Sequence, residues 1–512
     1  MADKITNVFV LMMENHSFDH ILGYSKIKGK DAITGADTEI NGLTGTETNS
    51  YNGKDYVVKN DADACMPSDP GHEFLDTKEQ LCGQNGTYPA IDNSGFVLNY
   101  AASSTEGATP TEGFGDVMRC YDTPVQLPVI YQLANEFAVC DSWFSSLPGP
   151  TCPNRFFALG ASSGGLDHSP TSEQMLIWQT LRGFKFPNGS IFERLDESST
   201  EEKKLWWRLY NDNKKCIWGG QVPMVAALKE IRHVDIHSIE DFKSDLNDTD
   251  WGYPYVFTFI EPNYGDVLNN TFKNGSSQHP MDAAAAGEQL IKDTYEAIRN
   301  SPVWNTSVLI ITYDEHGGFY DHVKPPAAIP PGDKTDPKNT TYGFDFKQYG
   351  VRVPAVIVSP LIPKNTIDHT PYDHTSILKT LSNLYGFAPL TQRDKNANDL
   401  IHLFSLENAR TDCPKQLRTP ATSEEIMEVL TSDEEQNEID QSPLPDKGTF
   451  RNMLQITMQT DLQLSDGTEA AEERIKTIYA NLKTRGDAKV YVKAVMQKLD
   501  TARAIKKMNA NS

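Results

Sequence analysis

The stretch NVFVLMMENHSFDH, residues 7–20, decides how this sequence is read. Asn7 to Met13 is an unbroken run of large and β-branched apolar residues, the pattern of a strand buried on both faces. It stops abruptly at Glu14-Asn15. Three later runs repeat the pattern: Tyr253 to Ile260 (YPYVFTFI), Ser307 to Tyr313 (SVLIITY) and Val353 to Val358 (VPAVIV). Helical spacing lies between and after them. Leu127 to Phe137 follows a helix start at Thr123-Pro124, Met281 to Asn300 is amphipathic, and a helix opening at Asp373-His374-Thr375 runs to Tyr385 and closes at Gly386. Strands alternating with helices predict an α/β fold with a mostly parallel central sheet flanked by helices. In such sheets, polar residues just past the carboxyl ends of strands face the ligand crevice. Glu14-Asn15 and Asp314-Glu315 occupy such positions.

The sequence is expected to divide into a main domain over residues 1–412 and a C-terminal region over 413–512. Within the first, Lys30 to Asp116 is rich in Gly, Asn, Asp, Thr and Ser and reads as a long looping insertion, a class of segment that usually carries function. In the second, Ser423 to Asp440 holds eight acidic residues and no basic one, and Ser442-Pro443-Leu444-Pro445 makes a linker-like break. Ala470 to Ser512 is helical, with ten Lys or Arg against four Asp or Glu. It is expected to be a helical appendage whose basic face is solvated rather than a membrane anchor.

The formal net charge of −23 over 512 residues argues against nucleic acid as a partner, since phosphate backbones demand clustered Lys and Arg. A site for an anionic ligand would need local positive charge, and a bound cation is the simplest source. No apolar run is long enough to span a membrane, so peripheral contact is the most that is expected. Residues 1–13 do not resemble a signal peptide, which reads as cytoplasmic. Asn-x-Ser/Thr sequons at Asn85, Asn188, Asn247, Asn269, Asn274, Asn305 and Asn339 would matter only on a secretory route. Seven cysteines without a CxxC pair disfavour a zinc knuckle. One or two disulfides among Cys65, Cys82, Cys120, Cys140 and Cys152 remain open.

Chemistry concentrates in a few places. Asp314-Glu315-His316-Gly317-Gly318-Phe319-Tyr320-Asp321-His322 sets two adjacent carboxylates at the end of a buried strand, where they repel unless a cation or proton compensates. Gly317-Gly318 allows a tight turn and close approach to a ligand. Glu14 and Asn15 complete a hard oxygen set suited to Mg²⁺, Ca²⁺ or Mn²⁺ rather than to a thiolate-type zinc site. In Pro148-Gly149-Pro150-Thr151-Cys152-Pro153-Asn154-Arg155 the prolines should keep the segment from being helical and hold Thr151 rigidly, with Arg155 free to contact phosphate oxygens. Cys152 is a rival nucleophile without the companions of a cysteine-dependent phosphatase. His72, His279 and His374 lie at junctions between loops and regular elements.

ENHSFDH, DPGHE, LPGPTCPNR, the HP dipeptide before a helix, and TYDEHGGFYDHV closely resemble the phosphoesterase family of bacterial phospholipases C, plant non-specific phospholipases C and a bacterial acid phosphatase. The resemblance runs over roughly residues 5–405, in the family's order. It implies an alkaline-phosphatase-like fold with one divalent ion (Ca, Mg, Mn or Zn) held by Glu14, Asn15, Asp314 and Glu315. It places the nucleophile on Thr151 and the phosphoryl-holding histidines on His72 and His279. Arg155, His16, His322 and His374 rank below these as phosphate or substrate contacts, His16 standing where many members carry Arg. A further active-site histidine of the acid-phosphatase branch has no clear counterpart, His233 and His237 being the nearest. The implied reaction is phosphodiester hydrolysis of phospholipids through a phosphothreonine, with His72 and His279 donating as imidazolium groups. Alternatives are a monoester-cleaving acid phosphatase, a sulfatase on the loose likeness of Cys152-Pro153-Asn154-Arg155, and an inactive binding protein of the same fold.

Overall fold

Seven consecutive residues with every side chain buried put Asn7–Met13 (β1) at the middle of a sheet rather than at its edge. The computed structural model describes residues 4–510 except 106–108, 172–173, 175–182, 214–218, 422–432 and 447. The other strands of the sheet are Lys28–Asp31 (β2), Asp37–Glu39 (β3), Ala138–Cys140 (β4), Trp206–Asn211 (β5), His237–Ser238 (β6), Tyr255–Glu261 (β7), Ser307–Tyr313 (β8), Ala355–Val358 (β9) and Thr366–Asp368 (β10). Their order is β3-β2-β10-β4-β9-β8-β1-β7-β5-β6. β1 pairs in parallel with β7 on one side and β8 on the other. β9 runs antiparallel to both its neighbours, and β3 runs antiparallel to β2. The sheet is therefore mostly parallel, as expected.

Register does the next piece of work. Asn7 stands opposite Ser307 and Met13 opposite Tyr313, so both strands end on the same line. The next residue of each is a carboxylate, Glu14 beside Asp314. Two strands that cross the core as matched apolar runs thus bring their polar ends together without any further device.

Helices cover the sheet at Pro128–Glu136, Thr151–Gly160, Ala284–Arg299 and Thr375–Tyr385. The expected helix near residue 127 is split, into Thr123–Gln126 and Pro128–Glu136. Pro128 disfavours the helical conformation for Leu127, whose φ of −126° and ψ of 58° lie outside it. The helix ending at Tyr385 stops where Gly386 turns left-handed at φ 82°.

Two expectations need correction. The segment 30–116 is no bare loop. Its start continues into β3, Thr48–Tyr51 pairs with Lys54–Val57 as a hairpin, and Phe74–Cys82 and Phe96–Tyr100 are helical. Leu81, Phe96, Val97, Tyr100 and Met118 form a small core there, which its polar composition concealed. Nor does the C-terminal region stand apart. Phe450, Met453, Leu454 and Met458 of the helix Thr449–Leu464 belong to the main apolar core. Asp433–Gln441 is helical, while residues 422–432 of the acidic stretch lie outside the described residues. The basic face stays largely solvated, as expected, Lys506 and Lys507 reaching Asp235 and Asp241 from exposed positions.

All six described cysteines are free thiols, and Cys216 lies outside the described residues. Among the described residues no helix is long and apolar enough to cross a membrane.

If the C-terminal helices are part of the core, Leu454→Ala should destabilise the whole protein by about 2–5 kcal/mol. A lower denaturant midpoint shared by catalytic activity and tryptophan fluorescence would show it. A midpoint for activity that does not move would mean an independent appendage.

Candidate active site

Asn15 turns the chain at the end of β1 in the left-handed conformation, φ 59°. Asparagine accepts this better than any residue but glycine. The turn aims the Asn15 amide at Thr151, whose hydroxyl donates to Asn15 Oδ1 at 3.2 Å. Thr151 is the first residue of the helix Thr151–Gly160, so the prolines do not prevent a helix here. Pro150 is the cap and Pro153 sits in the first turn, where a missing N–H removes no helical bond. The hydroxyl therefore lies at the positive end of a ten-residue helix, a natural seat for an anion.

Glu14, Asp314 and Glu315 are fully buried around this point. Asp314 is well supported. Its Oδ1 accepts from the amides of Asn15 (3.0 Å) and Glu315 (2.8 Å), and its Oδ2 from Arg155 Nε (2.9 Å). Glu14 is not: Ser277 is near, yet neither carboxylate oxygen meets a donor at bonding geometry. Glu315 Oε2 accepts from the Gly317 amide at 2.8 Å, while Oε1 has no hydrogen bond and lies 4.0 Å from His72 Nδ1. Burial, reinforced by Asp314, pushes Glu14 well above the carboxylate range. Burial also pushes Glu315 up to about 8 against the pull of His72. Carboxylate oxygens left without donors in a dry site fit a hard cation.

The ligand atoms of Glu14, Asp314 and Glu315 do not all lie within 4.8 Å of one another; among the described residues only Asp19, Asp321 and His322 do. That second group already holds a cation. Arg352 donates through Nε to Asp321 (3.1 Å) and through NH2 to Asp19 (2.9 Å). His322 Nδ1 lies 2.7 Å from Asp19 Oδ2, and its Nε2 3.1 Å from Asn41 Oδ1. His322 thus braces the ENHSFDH and YDH segments against each other, away from Thr151 and the Glu14 carboxylate.

The two histidines of the expected phosphoryl site do meet. His72 Nδ1 is 3.9 Å from Asp69 Oδ1, and His279 Nε2 is 3.7 Å from Asp69 Oδ2. Phe272 stacks on the His279 ring at 3.7 Å. Burial, and then His72, hold His279 well below its ordinary range. Its Nδ1 accepts from the Met281 amide at 3.3 Å, leaving Nε2–H as the donor. Burial therefore disfavours the imidazolium form of His279, and the accepted Met281 amide points its Nε2–H as the donor.

Arg155 and His374 serve the strand ends. Besides Asp314, Arg155 donates to the Met13 carbonyl at 2.8 Å, so its guanidinium is committed inward rather than to phosphate. His374 Nε2 donates to the Asp314 carbonyl (2.6 Å) while Nδ1 accepts from Trp143 Nε1 (3.3 Å). Burial lowers its pKa and keeps that neutral tautomer. His16 packs on Phe319, its Nδ1 2.8 Å from His20 Nδ1. Burial takes His16 down to about 3, opposed by a bond to the Gln278 backbone, which makes it a strut for the loop that carries His279. His233 is bonded to Thr460 of the C-terminal helices and His237 pairs with Arg208, so neither joins this site.

Sequence reasoning passed over Asp69 and His316. Asp69 lies between the two histidines, and its signal was its place three residues before His72 in the same motif. His316 Nε2 meets Gln80 Oε1 at 2.7 Å, and Gln80 donates to the Gly71 carbonyl, lacing DEHGG to DPGHE. The glycine pair serves the same junction. A Cβ on Gly317 would sit 2.1 Å from the Asn15 carbonyl oxygen, and one on Gly318 2.6 Å from Pro70 Cβ. Gly317 and Gly318 make their close approaches to these two loops.

A model described as the phosphoesterase family matches residues 5–388. Non-specific phospholipase C3 of Arabidopsis thaliana is 32% identical over 453 residues, 85% of this chain and 80% of that protein. Non-specific phospholipase C1 of the same plant is 35% identical over 432 residues, 81% and 73% of the two chains. Phospholipase C B of Mycobacterium tuberculosis is 27% identical over 434 residues, 78% of each. A solved protein in the alkaline phosphatase superfamily from Vibrio parahaemolyticus covers 63% of this chain and 81% of its own at 14% identity and a TM-score of 0.30, too distant to add to the fold described above.

Gly317→Ala tests the junction without touching any proposed ligand. The strained φ of 61° and the clash with Asn15 should displace the amide that holds Thr151, lowering kcat by about 100-fold or more. A variant with near wild-type turnover would show that the loop contact does not set the site.

Proposed function

The chain belongs to the phosphoesterase family, and from that membership we propose a phospholipase C-type hydrolase that cleaves the phosphodiester of a phospholipid on the glycerol side. The enzyme acts on phosphoric ester bonds, and its relatives are named phospholipases C. One observation carries the mechanism: a threonine hydroxyl at a helix N-terminus, held by Asn15 Oδ1 at 3.2 Å, beside buried carboxylates that lack donors.

Glu14, Asn15, Asp314 and Glu315 would hold a divalent ion. When bound it supplies positive charge that lowers the pKa of the attacking hydroxyl and screens the anionic ester. The rest is protein chemistry. Asn15 orients the Thr151 oxygen for in-line attack on phosphorus. The helix N-terminus and the Nε2–H of His279 donate to the equatorial oxygens as negative charge builds on them. His72, between Asp69 and Glu315, is placed to hand a proton to the departing glycerol oxygen. The product of this half-reaction is a phosphothreonine carrying the headgroup, which water hydrolyses in a second displacement. Arg155 and His374 hold Asp314 in place from below.

Three variants separate these roles. Thr151→Ala should abolish turnover of p-nitrophenylphosphorylcholine by at least about 10³-fold while keeping its metal, and Thr151→Ser should restore part of it. Glu14→Gln should lose the metal itself, read by elemental analysis of purified protein. Wild-type turnover in Thr151→Ala at full metal content would sink the nucleophile assignment. Faster hydrolysis of p-nitrophenyl phosphate than of the choline diester would move the reading to a monoesterase.

A further inference from the structure

Three exposed apolar side chains gather beside the catalytic loop. Leu75 is 49% exposed, Ile329 46% and Tyr342 38%. They stand on a small aromatic cluster separate from the main core. Phe74 stacks on Tyr342 with centroids 5.3 Å apart and planes 11° apart, and packs on Phe344 at 5.1 Å. Phe344 meets Phe346 at 5.0 Å. The Ala328 amide donates to the Lys347 carbonyl at 2.7 Å, which sets Ile329 alongside Phe346.

The cluster leads directly to the chemistry. Its buried members include Leu147, four residues before Thr151, and Phe157, in the helix that Thr151 begins. Phe74 is two residues past His72. The aromatic cluster thus packs among the segments that carry Thr151 and His72. The rim loop is held rigidly for a segment without strand or α-helix. Asp167 accepts from the amides of Thr341 (2.8 Å), Tyr342 (2.9 Å) and Phe344 (3.3 Å). The clamp fixes the backbone of Tyr342, whose ring is stacked on Phe74 and still 38% exposed.

Charge selects the occupant. The two segments that carry the rim, 73–79 and 324–347, hold five lysines against six Asp or Glu, a net of −1, in a chain whose total is −23. A near-neutral rim on an acidic protein suits a surface of no net charge better than an anionic one.

We propose that Leu75, Ile329 and Tyr342 dock the enzyme on a zwitterionic lipid surface, so that a lipid headgroup is presented beside the site without the whole lipid leaving the bilayer. The inference rests on the phospholipase C reading of the site. Burying these side chains in the headgroup region replaces contact with water, and the clamped loop loses little freedom on binding.

The double variant Leu75→Ser/Ile329→Ser tests it in the full-length protein, with Trp251→Ser as a control. Trp251 is 86% exposed and precedes β7, at the other end of the sheet. Co-sedimentation with phosphatidylcholine vesicles, and hydrolysis of that lipid in them, should fall about tenfold or more in the double variant. Its turnover of soluble p-nitrophenylphosphorylcholine should stay within about twofold, because the rim is not used by a monomeric ester. Unchanged vesicle binding would overturn the proposal, as would an equal loss in Trp251→Ser or tighter binding as anionic lipid is added. So would a wild-type dimer in analytical ultracentrifugation that the double variant splits, which would make the rim a contact between copies. Should the wild type hydrolyse only monoesters, the phospholipase reading falls, and the sedimentation arm still decides the docking face.

Discussion

Everything in this molecule answers to the burial of Glu14, Asp314 and Glu315 at the ends of two neighbouring strands. Removing a carboxylate from water is costly unless a partner replaces the lost solvation, and three together repel one another besides. The chain compensates one of them in full. Asp314 receives two backbone amides and the Arg155 guanidinium, and its carbonyl is held by His374. Glu14 is left without such bonds and Glu315 with one oxygen bare. The asymmetry is functional in form: a site that satisfied all three internally would have no use for a cation.

That arrangement constrains the loops as much as the charges. The strand ends can face a substrate only if ENHSFDH, DPGHE and DEHGG pack against one another within a few ångströms. They do so through positions that tolerate nothing larger. Gly317 lies against the Asn15 carbonyl and Gly318 against Pro70, while Ser17 Oγ donates to the Tyr320 carbonyl at 2.7 Å. Arg352, between Asp19 and Asp321, closes the far side. Three motifs far apart in sequence are therefore one structural unit, and the catalytic geometry is a property of their contacts.

How much of this the sequence disclosed follows from the range of each interaction. β1 and β8 were legible because a strand buried on both faces must be apolar throughout, and their polar ends followed from the fold class. β4 and β10 were not, being three residues long and specified by their neighbours. The helix at Thr151 was missed because proline was read as a breaker, when its effect depends on position within the first turn. The inward aim of Arg155 and the lowered pKa of His279 depend on side chains brought from residues scattered between 12 and 314. No local pattern encodes them. The C-terminal helices looked separable because linker composition is visible in sequence and core packing is not.

The overall charge of −23 poses an apparent difficulty for a phosphate ester, and distance resolves it. At physiological ionic strength the screening length is about 8 Å, so most surface carboxylates contribute little inside the crevice. On the proposed mechanism, an entering phosphate ester would meet the helix N-terminus at Thr151, the Nε2–H of His279 and a cation held by Glu14, Asn15, Asp314 and Glu315. Within the dry site those groups act at low dielectric and outweigh the distant acidic surface. The long-range field instead acts during approach, where it disfavours anionic surfaces. Attraction at the site and repulsion at the periphery are thus separated in space.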